Sequence, residues 1–298
     1  MTEQNILTIE NEFLRAEITT RGAELCAIFD KTHDRRVLKP RGESSWNGIA
    51  PILFPICGRL CEQTTLVDGK EFHMGTHGFA SKAIFTVLDH TEARIVLTLT
   101  DNDELRETCY PFRFLLTVEY VLDGASITTC VRVKNRDERS LPFSVGFHPG
   151  FSLPSDAEGS LDDCYLDFPN ANETAIWKLS PRALLTGENI PFPLENGHRL
   201  CLREDMLAEI NSLFFVGSGN TVTFASSISD HRIRVDYEGF PYLGFWRPND
   251  PDARFLCIEP WIGSPDLDGK CTELSEKKDM LLLPAGEEHS VKYRVTVE

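Results

Sequence analysis

Apolar and polar residues alternate with a period of two through most of this chain, and the 3.6-residue period of an amphipathic helix is almost absent. From Phe112 to Tyr120 most alternate positions are apolar, and polar residues such as Arg113 and Glu119 lie between them. This alternation is typical of a half-buried β-strand. An Asp-Gly pair follows at residues 123–124, and Ile127, Val131 and Val133 resume the apolar pattern. The segment therefore predicts a long antiparallel hairpin.

The same alternation recurs in shorter stretches at residues 95–99, 222–224, 233–237 and 291–297, and residues 215–222 predict a further hairpin corner. Short helices are expected only at residues 180–185 and 204–211. Strands without long crossovers imply antiparallel connections, so the chain predicts an all-β fold, a large antiparallel β-sandwich formed by one domain over residues 1–298. A ligand site is expected on a concave face or at the loop end, beneath proline-rich loops at residues 147–154 and 240–251.

Composition narrows the classes of partner. Hydrophobic residues make up 41% and charged residues 26% of the chain, as in ordinary globular proteins, and the net charge of −16 argues against nucleic acid or anionic membrane as a partner. No apolar run is long enough to span a membrane, and the N-terminus does not resemble a secretory signal. Nine scattered cysteines favour reduced thiols and a cytoplasmic location. Cys57 and Cys61 do not form a CxxC pair, so neither zinc binding nor redox chemistry is expected of them.

Two proton-transfer residues stand out among aromatic, Gly and Pro neighbours. Glu259 lies at the predicted end of an apolar strand, before Pro260 and Trp261, where burial would raise its pKa and make it a better base. His148 follows a short strand and precedes Pro149, so its imidazole is expected where a sheet meets a loop. The alternatives are an exposed or arginine-paired glutamate and a histidine that only packs against aromatic rings.

Four further side chains are candidates for binding a sugar. His77 lies between two glycines, which make a helical zinc site with His73 improbable, and Arg59 ends an apolar, proline-containing segment with a forked donor for hydroxyl or ring oxygens. Trp246 and Trp261, like Trp46, have rings that can stack on a pyranose face, although each is also a candidate core residue. No metal site is expected.

Five segments, in this order and spacing, resemble the aldose 1-epimerase (galactose mutarotase) superfamily, and most closely its LacX-type branch. The resemblance covers residues 6–297, and its markers are Ala50-Pro51-Ile52-Leu53-Phe54-Pro55 with Gly58-Arg59, His77-Gly78-Phe79, Tyr110-Pro111-Phe112, Gly146-Phe147-His148-Pro149-Gly150-Phe151 and Cys257-Ile258-Glu259-Pro260-Trp261.

The resemblance implies a galactose mutarotase-like supersandwich and a cofactor-independent isomerase. On the matching positions, Glu259 is the general base and His148 the general acid, on opposite sides of the acetal carbon of a monosaccharide, whereas His77 and Arg59 hold the sugar. The aspartate that binds a sugar hydroxyl in the main mutarotases has no convincing counterpart, since residues 204–224 offer only Asp205. The substrate therefore stays open.

Three functions are compatible with these residues. The first is an aldose 1-epimerase acting on a free aldohexose. The second is a non-catalytic sugar sensor that uses the same pocket. The third is a mutarotase of a hexose phosphate, which requires basic residues around the pocket, and Arg59, Arg232, Arg234 and Arg247 are the candidates. The sequence leaves the oligomeric state open, with a homodimer as one alternative.

Overall fold

The computed structural model describes residues 5–155, 159–206, 212–250 and 252–298. Nearly all of the regular structure is β. In chain order the strands are β1 (Ile6–Glu10), β2 (Leu14–Thr19), β3 (Leu25–Asp30), β4 (Arg35–Arg36), β5 (Ile52–Leu53), β6 (Thr64–Val67), β7 (Lys70–His73), β8 (Thr86–His90), β9 (Arg94–Thr100), β10 (Phe114–Asp123), β11 (Ser126–Asn135), β12 (Leu141–Phe143), β13 (Val145–Phe147), β14 (Gly150–Ser152), β15 (Cys164–Asp167), β16 (Ala175–Leu179), β17 (Leu185–Pro191), β18 (Arg199–Cys201), β19 (Ser212–Val216), β20 (Thr221–Ser226), β21 (Arg232–Asp236), β22 (Tyr242–Trp246), β23 (Phe255–Ile262), β24 (Leu281–Leu283) and β25 (Glu288–Val297).

Two large antiparallel sheets dominate the fold. One has nine strands in the order β18-β15-β20-β21-β25-β11-β10-β9-β8, and the other has the order β17-β16-β19-β22-β23-β13-β5, with β14 also paired to β23. A four-stranded sheet, β1 to β4, and two hairpin-sized pairs complete the structure. The predicted hairpin is confirmed, because β10 and β11 pair from Phe114↔Asn135 to Asp123↔Ser126.

The core lies between the two large sheets. The apolar face of β10, which includes Leu116 and Tyr120, is fully buried, and so are Leu256 and Ile258 on one face of β23. Aromatic contacts connect the layers, since the rings of Phe147 in β13 and Tyr293 in β25 lie 4.3 Å apart. The all-β sandwich predicted from the alternation is therefore confirmed, whereas its organisation as one domain stays a prediction.

One of the two helix predictions, at residues 180–185, was wrong. Residues 180–184 form a tight turn instead of a helix, because Ala183 takes a left-handed φ of 57° and its N–H donates to the Ser180 carbonyl. The predicted helix at 204–211 is helical at residues 204–206, and residues 207–211 lie outside the described residues. A helix not predicted from the sequence, α1 (Asp103–Thr108), begins where the Asn102 side chain accepts a hydrogen bond from the Leu105 N–H.

The predicted loops also differ from the structure. Half of residues 147–154 are strand, since the end of β13 and all of β14 fall within them. Residues 240–250 contain the central strand β22, and Pro251 lies outside the described residues. Pro149 stands between β13 and β14, and Pro241 directly precedes β22, where a missing N–H costs no ladder hydrogen bond. Residues 215–222 are not a hairpin, because β19 and β20 belong to different sheets and the segment crosses between layers through Gly217 and Gly219, both with positive φ.

Candidate active site

A cavity of about 410 Å³ lies on the outer face of the eight-stranded sheet, away from the sandwich core. Alternate residues of β23 explain its position. Leu256 and Ile258 point into the core, whereas Glu259 and Trp261 line the cavity. The loops that carry Trp46, Arg59 and His77 also contribute to its lining. The expected ligand site is therefore present on one face of the sheet.

Glu259 lies in the middle of β23, not at the strand end that the sequence suggested. It pairs in register with Gly244 of β22. A Cβ atom at position 244 would lie 3.3 Å from the Glu259 Cβ, so the glycine leaves room beside the carboxyl group. Glu259 is 2% exposed, and burial raises the pKa of its carboxyl well above the ordinary value, with the Trp261 indole acting in the opposite direction.

His148 lies at the interruption between β13 and β14. The backbone N–H of His148 donates to the Pro51 carbonyl at 3.1 Å. The carbonyl of the following residue, Pro149, accepts from the backbone N–H of Ile258, also at 3.1 Å. These two hydrogen bonds fix the backbone on both sides of the imidazole. Because Pro260 has no N–H to offer, the ladder is broken at the point where His148 meets β23.

The two proton-transfer side chains contact each other directly. His148 Nε2 lies 3.2 Å from Glu259 Oε2, and burial lowers the pKa of His148 to about 3. Because the pKa of Glu259 is raised and that of His148 is lowered, the proton that the two groups share stays on the Glu259 carboxyl near neutral pH. Both side chains are then uncharged. This corrects the expectation that the two groups lie on opposite sides of the acetal carbon, because they lie side by side.

His77 is locked onto the loop that carries Arg59. The backbone N–H of His77 donates to the Gly58 carbonyl at 2.8 Å, and the backbone N–H of Gly58 donates to the ring nitrogen Nδ1 of His77 at 3.1 Å. Burial lowers the pKa of His77 well below its ordinary value, and the neighbouring His148 and Arg59 act in the same direction. The neutral ring therefore carries its proton on Nε2, the nitrogen that the Gly58 contact leaves available.

The conformation of His77 depends on its neighbour. His77 itself has a φ of 65°, and Gly78 follows with a φ of 74°. A Cβ atom at Gly78 would lie 2.3 Å from the Phe54 carbonyl oxygen. Only glycine fits this close approach, which explains why the His-Gly-Phe segment was informative in the sequence.

Arg59 lies at the cavity rim and is exposed. Its Nη1 donates to the Arg182 carbonyl at 3.2 Å, and its own carbonyl accepts from the Asp266 N–H at 2.9 Å. Among the described residues no carboxylate forms a salt bridge with Arg59, which leaves guanidinium donors available to a ligand in the cavity.

Three tryptophans form aromatic walls. Trp46 packs against the His148 ring at a centroid distance of 4.9 Å, Trp246 at 5.6 Å, and Trp261 lies 5.3 Å from the His77 ring. All three line the cavity, as the sequence predicted for a sugar-stacking role. They also shield the acid/base pair from bulk water.

Sequence reasoning missed several residues around the site. Phe214 and Ser212 of β19 line the cavity, but their segment is a continuous apolar run that does not reveal which face binds a ligand. Lys39 is fully buried and holds its ammonium 5.0 Å from the Trp46 ring centroid while donating to the Trp46 carbonyl at 3.0 Å. Cys257 lies on the same face of β23 as Glu259, two residues before it, and is buried beside Trp46 and Trp246 without lining the cavity itself.

Comparisons with known proteins decide the family. The model of the family described as aldose 1-epimerase matches residues 5–296. The chain belongs to the aldose 1-epimerase family. It is accordingly an isomerase, as the resemblance implied.

Relatives of this aldose 1-epimerase family member include Protein LacX of Lactococcus lactis subsp. lactis, whose plasmid form is 32% identical over 86% of this chain and 87% of its own length. A galactose mutarotase-like protein from Lactobacillus casei has a TM-score of 0.92 at 31% identity, covering 99% of this chain and 100% of that chain. A galactose mutarotase related enzyme from Lactobacillus acidophilus has a TM-score of 0.91 at 31% identity, over 99% and 97%. The LacX-type resemblance is confirmed.

The structure also bears on the membrane prediction. Among the described residues of this aldose 1-epimerase family member, no helix has the length and apolar character needed to cross a bilayer. All nine cysteines fall in the described ranges and carry free thiols.

Proposed function

We propose that this protein interconverts the α and β anomers of a free aldohexose, with Glu259 as the general base and His148 as the general acid. The observation that carries the proposal is the 3.2 Å contact between the two groups at one wall of the cavity. The C1 hydroxyl oxygen and the ring oxygen of a pyranose are bonded to the same carbon. A base and an acid that lie side by side can therefore reach both oxygens at once.

Ring opening is a balanced proton relay. The shared proton first passes from the Glu259 carboxyl to His148 Nε2. The Glu259 carboxylate then takes the proton of the C1 hydroxyl, His148 gives the Nε2 proton to the ring oxygen, the bond between C1 and the ring oxygen breaks, and C1 becomes an aldehyde. Rotation about the C1–C2 bond presents the other carbonyl face, and closure with the roles reversed gives the other anomer. Positioned acid and base groups contribute roughly a hundredfold to ten-thousandfold.

Ring opening returns the pair to its resting protonation state. After ring opening, Glu259 is a carboxylic acid and His148 a neutral imidazole, which is the state that burial already stabilises in the empty pair. Ring closure therefore starts from this same state, with the roles of the two groups reversed. We infer that hydrogen bonds from Arg59 and His77 Nε2 to the sugar stabilise the transition state and accelerate the exchange.

The arginines favour a free sugar over a sugar phosphate. Arg59 lines the cavity, but Arg232 and Arg234 lie on β21 of the opposite sheet. Arg247 is buried, pairs with Glu204 at 2.7 Å and donates to the Ala253 carbonyl at 2.6 Å. A single rim arginine is a weak basis for binding a dianionic phosphate. The cytoplasmic location stays a prediction.

The decisive experiment is anomer exchange measured by NMR with glucose, galactose and a sugar phosphate as substrates. We expect acceleration over buffer for at least one free hexose, and a smaller effect on the phosphate. Sugar binding by calorimetry without any acceleration would select the sensor function, and neither binding nor acceleration would remove both.

The pH dependence of kcat/KM tests the shared proton, because this quantity reports the pKa values of the free enzyme. The pair gains a second proton only as the pH falls toward the lowered pKa of His148, about 3, and loses its single proton only above the raised pKa of Glu259. We therefore expect kcat/KM to stay constant as the pH falls through about 6.5, where an ordinary histidine titrates. A half-maximal value near that pH would contradict the neutral pair.

A further inference from the structure

Three buried metal-binding side chains converge at the base of the cavity. One ligand atom each from His148, Cys257 and Glu259 lies within 4.8 Å of the others. The three residues are 7%, 0% and 2% exposed, respectively. The mechanism above uses two of them and gives Cys257 no role.

The backbone brings these donors together without strain. Cys257 and Glu259 are two residues apart on β23, so both side chains point to its cavity face. Cys257 pairs in register with Gly150 of β14, and His148 lies just before that strand. Binding one ion between them requires the thiolate, the carboxylate oxygen and the imidazole nitrogen to approach one another more closely than this, through rotations about side-chain bonds.

We propose that His148, Cys257 and Glu259 form a binding site for a thiophilic divalent cation, best satisfied by Zn²⁺, and that its occupation switches off the acid/base pair. Inhibition rests on the proposed function, whereas cation binding does not. Zinc takes sulfur, nitrogen and carboxylate oxygen ligands, and three protein ligands leave a fourth position for water or substrate. Since Glu259 and His148 line the cavity, that position faces the space where the sugar binds.

Charge and proton balance are both satisfied. A thiolate, a carboxylate and a neutral imidazole carry two negative charges, which cancel the two positive charges of the ion, so the loaded site is neutral and burial costs less. Binding releases two protons, one from the Cys257 thiol and one from the His148–Glu259 pair. No oxidant or reductant is needed.

Lys39 is the nearby cation that has to be accounted for. Its ammonium donates to the carbonyls of Trp46 and Pro40 and lies between the Trp46 and Phe255 rings, 5.0 and 4.9 Å from their centroids. The group is thus held by acceptors outside the donor set. Burial, and next Glu259, raise the pKa of the Cys257 thiol well above its ordinary value, and Lys39 opposes this only in part, so the thiol loses its proton to a bound metal ion and not to the site alone.

Cobalt(II) is the probe for the binding test, because its absorption reports both geometry and sulfur ligation. Titration of the whole protein with CoCl₂ is expected to give one tightly bound ion with tetrahedral visible bands and a thiolate-to-cobalt charge-transfer band. Cys257→Ser should remove the charge-transfer band and weaken binding by more than the roughly 10- to 100-fold that loss of an outer-shell partner costs. Cys201→Ser, at an exposed thiol beside Glu195, is the matched control and should leave the spectrum unchanged.

The site would be overturned if cobalt gave no charge-transfer band. It would also be overturned if the band survived in Cys257→Ser and disappeared in Cys201→Ser. If Cys257→Ser does not fold, Glu259→Gln replaces it, since loss of a carboxylate ligand is expected to weaken Co²⁺ binding while the thiolate band persists at higher concentration.

The regulatory part is tested by anomer exchange with ZnCl₂ titrated against the sugar. We expect inhibition that is competitive with sugar, reversed by a chelator and lost in Cys257→Ser, when each protein is compared with its own metal-free rate. Cobalt binding without inhibition by zinc would contradict the switch and leave the exchange activity standing. Absence of exchange in metal-free protein would instead sink the proposed function, while the cobalt spectrum still decides the site.

Discussion

Replacing Glu259 by glutamine is expected to lower kcat for anomer exchange by roughly 10²- to 10⁴-fold. The amide keeps the size of the side chain but does not accept the proton of the C1 hydroxyl. The fold should persist, because Glu259 is a buried ionisable group whose raised pKa costs stability as the pH rises. Exchange NMR measures the loss, and thermal unfolding at two pH values measures the stability.

The sign of the stability change follows from the pKa. A folded-state pKa above the unfolded value of about 4.5 means that the native protein keeps a proton which the unfolded chain releases, so this group's contribution is lost as the pH rises through the folded pKa. Glutamine has no such dependence, and the variant should gain stability relative to the wild type from acid to mildly alkaline pH. Glu43→Gln, at a carboxyl whose pKa burial also raises but which does not line the cavity, is the matched control and should keep its activity. A Glu259→Gln variant that retains wild-type exchange would remove the proposed base.

Replacing His148 by glutamine is the second large change. The amide can still hydrogen-bond near the ring oxygen but cannot transfer a proton, so a loss of roughly 10²- to 10⁴-fold in kcat is expected. Because the two groups act as one proton-sharing unit, the His148→Gln/Glu259→Gln double variant should lose about as much as the more damaging single variant. Exchange NMR on the three variants gives this comparison directly.

His289→Gln is the control for that series. His289 is a half-buried histidine whose pKa is also lowered by burial, but it lies on β25 in the opposite sheet. Its replacement should leave exchange unchanged. Losses that multiply in the double variant would show that Glu259 and His148 act independently, against the relay proposed above.

The sandwich was predictable because period-two alternation is a local signal. The hairpin of β10 and β11 followed from it together with one Asp-Gly turn. Continuous apolar runs were harder, since β22 and β23 are buried on both faces and carry no alternation to separate a core side from a ligand side. Helix α1 was missed although Asn102 and two acidic residues mark its start, because six residues are too few to show a helical period.

The sequence predicted which residues form the site, but not how they contact one another or how they are protonated. Glu259, His148, His77 and Arg59 were marked by glycine, proline and aromatic neighbours, and the structure places all four around one cavity. The direct contact of His148 with Glu259 was not predictable. It depends on how β13 and β14 both pair with β23, which places the residues between them beside Glu259. The protonation of the pair follows from that burial, which no local pattern reports.

The strand β23 has one further consequence for how this protein can change. Leu256, Ile258 and Ile262 pack in the sandwich core, whereas Glu259 and Trp261 line the cavity, and Gly244 and Phe214 extend that surface onto β22 and β19. Substrate preference can therefore diverge, in evolution or by engineering, through substitutions at alternate positions of three neighbouring strands, while the residues that determine folding remain untouched.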